Sequence, residues 1–395
     1  MKQQLICLIL FFAFLFIPVY VIKGQITDIA KQKGLKGEIE FDVAPGKLFL
    51  TNSFLKGNNE KGRKIDDCLS IYLKYGFRFN DDSYLGKIYP ETYQGLGVSF
   101  NTFFDYHEIG NPIAIYLYQG SPVFRFSSNL SLGYEWNFGV SFGWKSYDEN
   151  LNTYNKVVGS KVNAYMNLGL ILNWKINNKF SLTPGITVSH YSNGNSYHPN
   201  KGINDIKLRI GAVYRFKADT DNSNHRLFAE DDDESSPISY DLILYGSVRS
   251  KTLLSESYLV PGKFGIAGIN FNPLYRLNRY FKAGVSLDCQ YDESANIKII
   301  RTNDDEGSKL SLSYPSFWSK VGLGLSLRGE FTMPIFSINI GLGHNFLYKG
   351  SDLNGFYQIL VLKTFITDKL FLHTGYQLVN FKKPKNLMFG LGYRF

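Results

Sequence analysis

Residues 124–144 read FRFSSNLSLGYEWNFGVSFGW, and apolar side chains occupy almost every second position. The even-numbered residues from Phe124 to Trp144 are aromatic or aliphatic except for Ser128, whereas the odd-numbered residues are Gly, polar or charged. Successive side chains of a β-strand point to opposite faces. The pattern therefore predicts one long strand, or a hairpin of constant parity, with a single apolar face that reaches Trp144.

The same period-two alternation recurs at residues 69–79 and 162–174. Strands of soluble sandwiches are usually about five or six residues long, whereas transmembrane strands need about 9–11 residues and carry aromatic girdles. The C-terminal residues Tyr393-Arg394-Phe395 also resemble the assembly signal of outer-membrane barrels. We therefore expect an all-β fold, an antiparallel transmembrane β-barrel, rather than a soluble sandwich.

The composition excludes several other classes of protein. The chain has 395 residues, a formal net charge of +9, 16% aromatic residues and only 3 Cys. Disordered chains lack aromatic residues, and a disulfide scaffold needs more cysteines. The positive charge could attract phosphorylated lipid, and no motif indicates nucleic-acid binding. The six His residues form no metal-spaced cluster, so neither a metal nor a cofactor is expected.

The N-terminus has the pattern of an export signal. Lys2 precedes an apolar run from Leu5 to Val21, and a plausible cleavage point lies before Gln25. Residues 1–24 are therefore predicted to be a cleaved signal peptide, with an uncleaved anchor as the alternative. Together with the strand pattern, this predicts the outer membrane of a Gram-negative bacterium.

An internal repeat divides the chain. Residues 211–216 read GAVYRF and residues 390–395 read GLGYRF. The predicted halves are residues 25–216 and 238–395, joined by an acidic polar linker at 217–237. Each half holds roughly eight strands by this reading. We expect one barrel of about 14–16 strands, because one closed sheet has no edges; two tandem eight-stranded barrels are the alternative.

The alternating pattern of residues 180–193 places two reactive side chains on its apolar face. His190 and Ser192 follow Ile186 and Val188 in parity, so both point toward lipid near one strand end. A His beside a Ser can act as a general base and activate the hydroxyl as a nucleophile. The other interpretation is a polar cap where the strand leaves the membrane. In the second half, Asn380 and Lys382 occupy the aligned positions.

The motif His190-Tyr191-Ser192-Asn193-Gly194-Asn195, followed by Pro199-Asn200-x-Gly202, resembles the signature of the outer-membrane lipid A 3-O-deacylases. Longer relatives of that family are labelled acyloxyacyl hydrolases, and the resemblance covers about residues 36–216. It implies that Ser192 attacks an acyl ester of lipid A, in lipopolysaccharide, while His190 takes the proton. It also implies that Asn200 donates to the oxyanion. Asn193 is a further candidate for substrate binding.

The chain departs from the family at one catalytic position, because Asn204 stands where the family has Glu. Asp205 is inward by parity and poorly placed to substitute. Asn204 can accept a hydrogen bond from the His ring, but it cannot stabilise an imidazolium as a carboxylate does. Either Asn204 orients His190 in a slower dyad, or the activity is lost or altered.

Two further candidates are rejected from parity. Glu135 points inward and cannot be the third member of the site, whereas inward Lys and Arg residues are expected to form a charge network with it. Residues 139–143 match G-x-S-x-G, but a nucleophile elbow requires a strand-turn-helix context. Ser141 instead lies on the inward face of a strand.

Two functions remain. The first is an outer-membrane esterase acting on lipid A through Ser192 and His190. The second is a non-catalytic barrel, porin-like or structural. In both cases the barrel-assembly machinery is the expected partner, through the C-terminal Tyr393-Arg394-Phe395.

Overall fold

The computed structural model describes residues 35–217, 236–253, 258–304, 307–381 and 383–395. The predicted signal peptide at 1–24 lies outside these residues, as does nearly all of the predicted linker at 217–237. The chain divides into two compact units, one within residues 32–230 and the other within 231–395. Each unit contains a β-barrel.

The first barrel is a closed antiparallel sheet with eight strand positions around its wall. Its strands are β1 (Lys36–Leu48), β2 (Asp67–Arg78), β3 (Tyr93–Thr102), β4 (Gly110–Arg125), β5 (Leu130–Trp144), β6 (Val162–Lys175), β7 (Phe180–Leu182), β8 (Gly185–Ser192) and β9 (Ile203–Arg215). β7 and β8 together occupy one strand position between β6 and β9. They are interrupted at Pro184, which has no N–H to donate to a neighbouring strand. The barrel closes because β1 pairs with both β2 and β9.

The second barrel repeats this architecture. Its barrel strands are β10 (Ile238–Arg249), β13 (Phe264–Arg276), β14 (Phe281–Asp292), β17 (Val321–Thr332), β18 (Phe336–Leu347), β19 (Phe356–Phe365), β20 (Leu370–Val379) and β21 (Lys383–Arg394). β10 pairs with β21 and closes the sheet. Two hairpins extend the loops: β11 (Thr252–Leu253) with β12 (Tyr258–Leu259), and β15 (Lys298–Asp304) with β16 (Gly307–Ser313).

The expectation of one barrel with about 14–16 strands is wrong, and the alternative of two tandem eight-stranded barrels is confirmed. The first strand of each half pairs with the last strand of the same half. Each sheet therefore removes its own edges, and eight strands suffice to enclose an interior filled by side chains.

The two faces of each strand differ as the alternation predicts. On β2, Leu73 is 54% exposed on the outer face whereas the adjacent Lys74 is 1% exposed in the interior. Trp144 departs from the predicted parity, because it is buried and its Nε1–H donates to Ser141 Oγ at 2.9 Å. The cause is Gly143, whose φ of +94° reverses the alternation at the end of β5.

Charged side chains fill the middle of the first barrel. Lys74 Nζ lies 2.7 Å from Glu40 and 3.0 Å from Glu135, and Arg209 lies 2.8 Å from Asp42 and 2.6 Å from Glu135. All five groups are buried. The network explains why Glu135 points away from the outer face, and the predicted interior charge cluster is present.

Most connections at one end of each barrel are short turns, and most connections at the other end are longer loops. The repeat is visible in the turns: Ile176 N–H donates to Phe180 O at 2.9 Å, and Ile366 N–H donates to Leu370 O at 2.8 Å. A short helix, α1 (Tyr84–Ile88), is capped by Ser83, whose Oγ accepts from Gly86 N–H at 3.0 Å. Among the described residues, no helix is long and apolar enough to span a membrane.

Candidate active site

The candidate site lies where β8 ends at the long-loop end of the first barrel. Ile186 and Val188 are exposed on the outer face of β8, and His190 follows them with the same parity. The intervening Tyr191 points inward and is buried. The strand period thus brings His190 and Ser192 side by side on the outer face, as the sequence predicts.

The three side chains form a hydrogen-bonded series. His190 Nε2 lies 2.9 Å from Ser192 Oγ, and His190 Nδ1 lies 2.6 Å from Asn204 Oδ1. Asn204 reaches the ring because it is the residue directly opposite His190 in the β8–β9 register. Asn204 therefore makes the hydrogen bond to the imidazole that its side chain allows, and its catalytic role stays a prediction.

This arrangement specifies the histidine tautomer. An amide oxygen can only accept, so Nδ1 must carry the proton that is donated to Asn204. Nε2 then has a lone pair directed at Ser192, which is the state that a general base requires. Asp205 points into the barrel interior, where it pairs with Lys207, and so it does not take the position beside the ring that Asn204 occupies.

The loop after Ser192 presents one candidate oxyanion donor. Asn200 Oδ1 accepts from the backbone N–H of Asn193 at 3.1 Å, so the NH₂ group is at the opposite end of the amide. Asn193 turns its own side chain into the loop, where Oδ1 accepts from Tyr197 N–H at 3.3 Å. This hydrogen bond does not engage the Asn200 NH₂ group. Oxyanion donation by Asn200 and substrate contact by Asn193 both stay predictions.

Gly202 packs against the pair from the β9 side. Its φ is +70°, and a Cβ at this position would lie 3.2 Å from His190 Cε1 and 3.6 Å from Ser192 Cβ. Glycine satisfies both constraints, because it adopts positive φ freely and has no side chain. The glycine of the sequence motif thus allows the backbone to approach the imidazole.

Asn155 supports this region and is not identifiable from the sequence. Its Nδ2 donates to Glu108 O at 2.7 Å and Lys145 O at 2.8 Å, and its Oδ1 accepts from Val157 and Val158 N–H at 3.1 Å. Gly202 N–H donates in turn to Val157 O at 3.1 Å. Asn155 lies in an irregular loop, where no periodicity marks a buried position.

Two further features frame the site. Tyr191 forms a rigid inner wall behind it, because its ring centroid lies 5.2 Å from those of Trp144 and Tyr165 and its hydroxyl donates to Asn101 Oδ1 at 3.0 Å. In the neighbouring loop, burial raises the pKa of the Glu108 carboxyl above its ordinary value, although Glu60 N–H hydrogen-bonds to it.

The other positions considered from the sequence take no part in this constellation. Ser141 lies on strand β5 and donates to Asn163 O at 3.2 Å, so it is not on a nucleophile elbow. In the second barrel, β20 ends at Val379 and Asn380 is in a turn with φ +51°, whereas Lys382 lies outside the described residues. Within the described ranges, no three His, Cys, Asp or Glu side chains group as metal ligands.

Family models match both halves of the chain. Residues 71–213 match lipid A 3-O-deacylase (PagL), and residues 238–395 match the C-terminal domain of acyloxyacyl hydrolase. Each half of the chain thus matches a model of the lipid A 3-O-deacylase and acyloxyacyl hydrolase family. The family resemblance is thereby confirmed, and the second half is similar to a domain described for acyloxyacyl hydrolase.

Solved structures similar to this chain include three barrels. Neisserial surface protein A is 10% identical, with 47% of this chain and 100% of that chain covered and a TM-score of 0.32. The outer membrane enzyme PagL is 15% identical, with 44% and 97% covered and a TM-score of 0.30. The N-terminal β-barrel domain of Pseudomonas aeruginosa OprF is 13% identical, with 45% and 97% covered and a TM-score of 0.26. No curated protein matches the chain.

Proposed function

We propose that the first barrel is an esterase that removes an acyl chain from lipid A in the outer membrane. One observation carries the proposal: Ser192, His190 and Asn204 are joined by hydrogen bonds of 2.9 and 2.6 Å on the outer face of a barrel. The match to the lipid A 3-O-deacylase model supports lipid A as the substrate class, and the 3-linked acyl ester is the bond that the family name indicates.

The chemistry follows from the tautomer. Ser192 Oγ attacks the ester carbonyl carbon while its proton passes to His190 Nε2, and Asn200 Nδ2 is the proposed donor to the oxyanion. The carbon–oxygen bond to the sugar then breaks, and the imidazolium returns the proton to the leaving alkoxide. Water then attacks the acyl-Ser192 carbonyl carbon while His190 Nε2 takes its proton. The bond between the acyl carbon and Ser192 Oγ breaks, the imidazolium returns the proton to Oγ, and the fatty acid is released.

The position of the site favours a lipid substrate. His190 and Ser192 share the outer face of β8 with Ile186 and Val188, which are exposed. The apolar outer face of a transmembrane barrel contacts lipid chains. An ester at the boundary between headgroup and chains would therefore meet Ser192 without leaving the membrane.

Export and assembly belong to the same proposal. We infer that residues 1–24 are removed as a signal peptide, that residues 217–237 link the halves 25–216 and 238–395, and that Tyr393-Arg394-Phe395 engages the barrel-assembly machinery. The terminal segment is suited to this role, because Tyr393 and Phe395 are exposed and their ring centroids lie 5.0 Å apart.

Mass spectrometry of lipid A tests the proposed activity. Lipid A is isolated from cells that express the wild type, Ser192→Ala or His190→Ala at matched outer-membrane levels. We expect the wild type to remove one 3-hydroxyacyl chain, and we expect either substitution to abolish that loss, because each removes a member of the dyad.

The control is Ser189→Ala, which changes a buried serine on the interior face of the same strand. This variant should retain activity. Intact lipid A in cells with abundant folded wild type would contradict the esterase and favour a non-catalytic barrel. Unchanged deacylation by Ser192→Ala would show that another residue is the nucleophile.

A further inference from the structure

The surroundings of Ser192 differ on its two sides. On the β9 side, Ile203 pairs with Tyr191, so the next residue along, Gly202, lies beside Ser192. Its backbone is close enough that an added Cβ would lie 3.6 Å from Ser192 Cβ. On the β6 side, the directly opposite residue is Ala164, which contributes only a methyl group.

At His190, two residues before Ser192 on β8, the side that faces β9 is also blocked. His190 Nδ1 and Asn204 Oδ1 are 2.6 Å apart and bridge the groove between β8 and β9. An acyl chain that crossed this groove would have to separate the two groups and would remove the orientation of the imidazole. A chain attached to an ester at Ser192 must therefore leave toward β6.

The outer face of β6 offers a continuous apolar path. Its outward residues are Val162, Ala164, Met166, Leu168, Leu170 and Leu172, and Ala164 is the smallest of them. Met166 lies opposite His190, Leu168 opposite Val188 and Leu170 opposite Ile186. Leu168 and Leu170 are 56% and 62% exposed, so this row is open to a lipid chain.

We propose that the acyl chain of the substrate passes over Ala164 and continues along the outer face of β6, so that Ala164 determines which acyl chains reach Ser192. This inference rests on the proposed esterase function and specifies its acyl-binding site. The ligand is an extended, long-chain fatty acyl ester. Side chains at opposed positions of an antiparallel pair have Cβ atoms about 4.5–5.5 Å apart, so a larger residue at position 164 would occupy the space beside Ser192.

The test compares chain lengths in the full-length protein with Ala164→Leu. The substrates are p-nitrophenyl acetate and p-nitrophenyl dodecanoate in detergent micelles. We expect the ratio of kcat/KM for the dodecanoate to kcat/KM for the acetate to fall by about tenfold or more. The matched control is Ala212→Leu, which makes the same change at an exposed position near the other end of β9 and should alter neither value.

An equal loss on both esters would overturn the inference, because Ala164 would then support the dyad and not the chain. An unchanged dodecanoate value would overturn it too. If the wild type hydrolyses neither ester, the proposed function itself fails.

A second measurement locates the bound acyl chain directly and does not depend on ester hydrolysis. Full-length Ser192→Ala is irradiated with lipid A whose 3-linked acyl chain ends in a diazirine. We expect labelling in β6, at residues 162–175. Labelling in β9, at residues 203–215, would contradict the inference.

Discussion

His190 contacts a neutral partner, Asn204, at a position where the resemblance places a carboxylate in other family members. The 2.6 Å hydrogen bond to Asn204 Oδ1 selects the tautomer and the ring orientation. It supplies no negative charge to stabilise the imidazolium that forms when Ser192 attacks. Hydrogen bonds to charged groups contribute about 1.5–3 kcal/mol, against about 0.5–1.5 kcal/mol for neutral pairs. The site should therefore be correctly arranged but slow.

Asn204→Asp tests whether the missing negative charge makes the site slow, because Asp has nearly the shape of Asn and adds the charge. We expect kcat to rise by about tenfold or more, since about 1.4 kcal/mol of extra stabilisation corresponds to a factor of ten. Asn204→Leu should lower kcat, because it removes the acceptor that orients Nδ1–H. The measurement is kcat on p-nitrophenyl acetate across pH, with the amount of folded protein matched.

A lower kcat in Asn204→Asp would contradict this account and would indicate that the neutral amide is required. Asn204→Gln serves as the control for side-chain length without charge. It should not reproduce the gain.

At the scale of elements, the loop at 193–202 is held by a second loop. Asn155 forms four hydrogen bonds, two as donor and two as acceptor, and it is fully buried. It fixes residues 157–158, and Val157 O then accepts from Gly202 N–H. Through this connection, Asn155 positions the glycine that packs against His190.

Asn155→Ala should therefore slow the chemistry more than it weakens binding. Removing the amide leaves the Val157 and Val158 N–H groups without this acceptor, at a cost of about 1–3 kcal/mol for each unsatisfied group. The Glu108 and Lys145 carbonyls lose one donor and keep Asn152 Nδ2 as another. We expect a lower rate of Ser192 labelling by a fluorophosphonate probe and a lower kcat, with KM for p-nitrophenyl acetate little changed. Thr153→Ala, at an exposed position of the same loop, is the control.

Asn155→Asp separates the two halves of the contact, because a carboxylate keeps the acceptors and loses the donors. We expect its labelling rate to lie between those of the wild type and Asn155→Ala. Equal labelling rates for all three proteins would show that the loop contact has no influence on the dyad.

The period-two pattern predicts elements well and their ends poorly. It places His190, Ser192 and Asn204 outward and Glu135 inward, because side-chain direction along a regular strand depends only on parity. It fails at Trp144, because the φ of Gly143 is a backbone property that the alternation does not record. It is silent on Asn155, because the hydrogen bonds of an irregular loop have no period.

At the scale of the whole molecule, the sequence does not determine which terminal strands pair to close the sheets. One barrel of about sixteen strands and two barrels of eight strands contain the same alternating strands and the same local hairpins. Both arrangements also remove the sheet edges. They differ only in the partners of the terminal strands, which lie far apart in sequence. The observed pairs are β1 with β9 and β10 with β21.

Because the first barrel closes on itself and contains its own charge network, we expect residues 25–217 to fold alone in detergent. Its β1–β9 ladder leaves no unpaired edge, and Lys74, Arg209, Glu40, Asp42 and Glu135 all lie within it. The measurements are heat-modifiable mobility on electrophoresis and kcat/KM on p-nitrophenyl acetate, with the full chain as reference. We expect a folded species with activity within about threefold of the full chain, a difference below 1 kcal/mol. A truncated protein that folds but loses activity would mean that the second barrel contributes to catalysis, and one that fails to fold would mean that closure of eight strands is insufficient for stability.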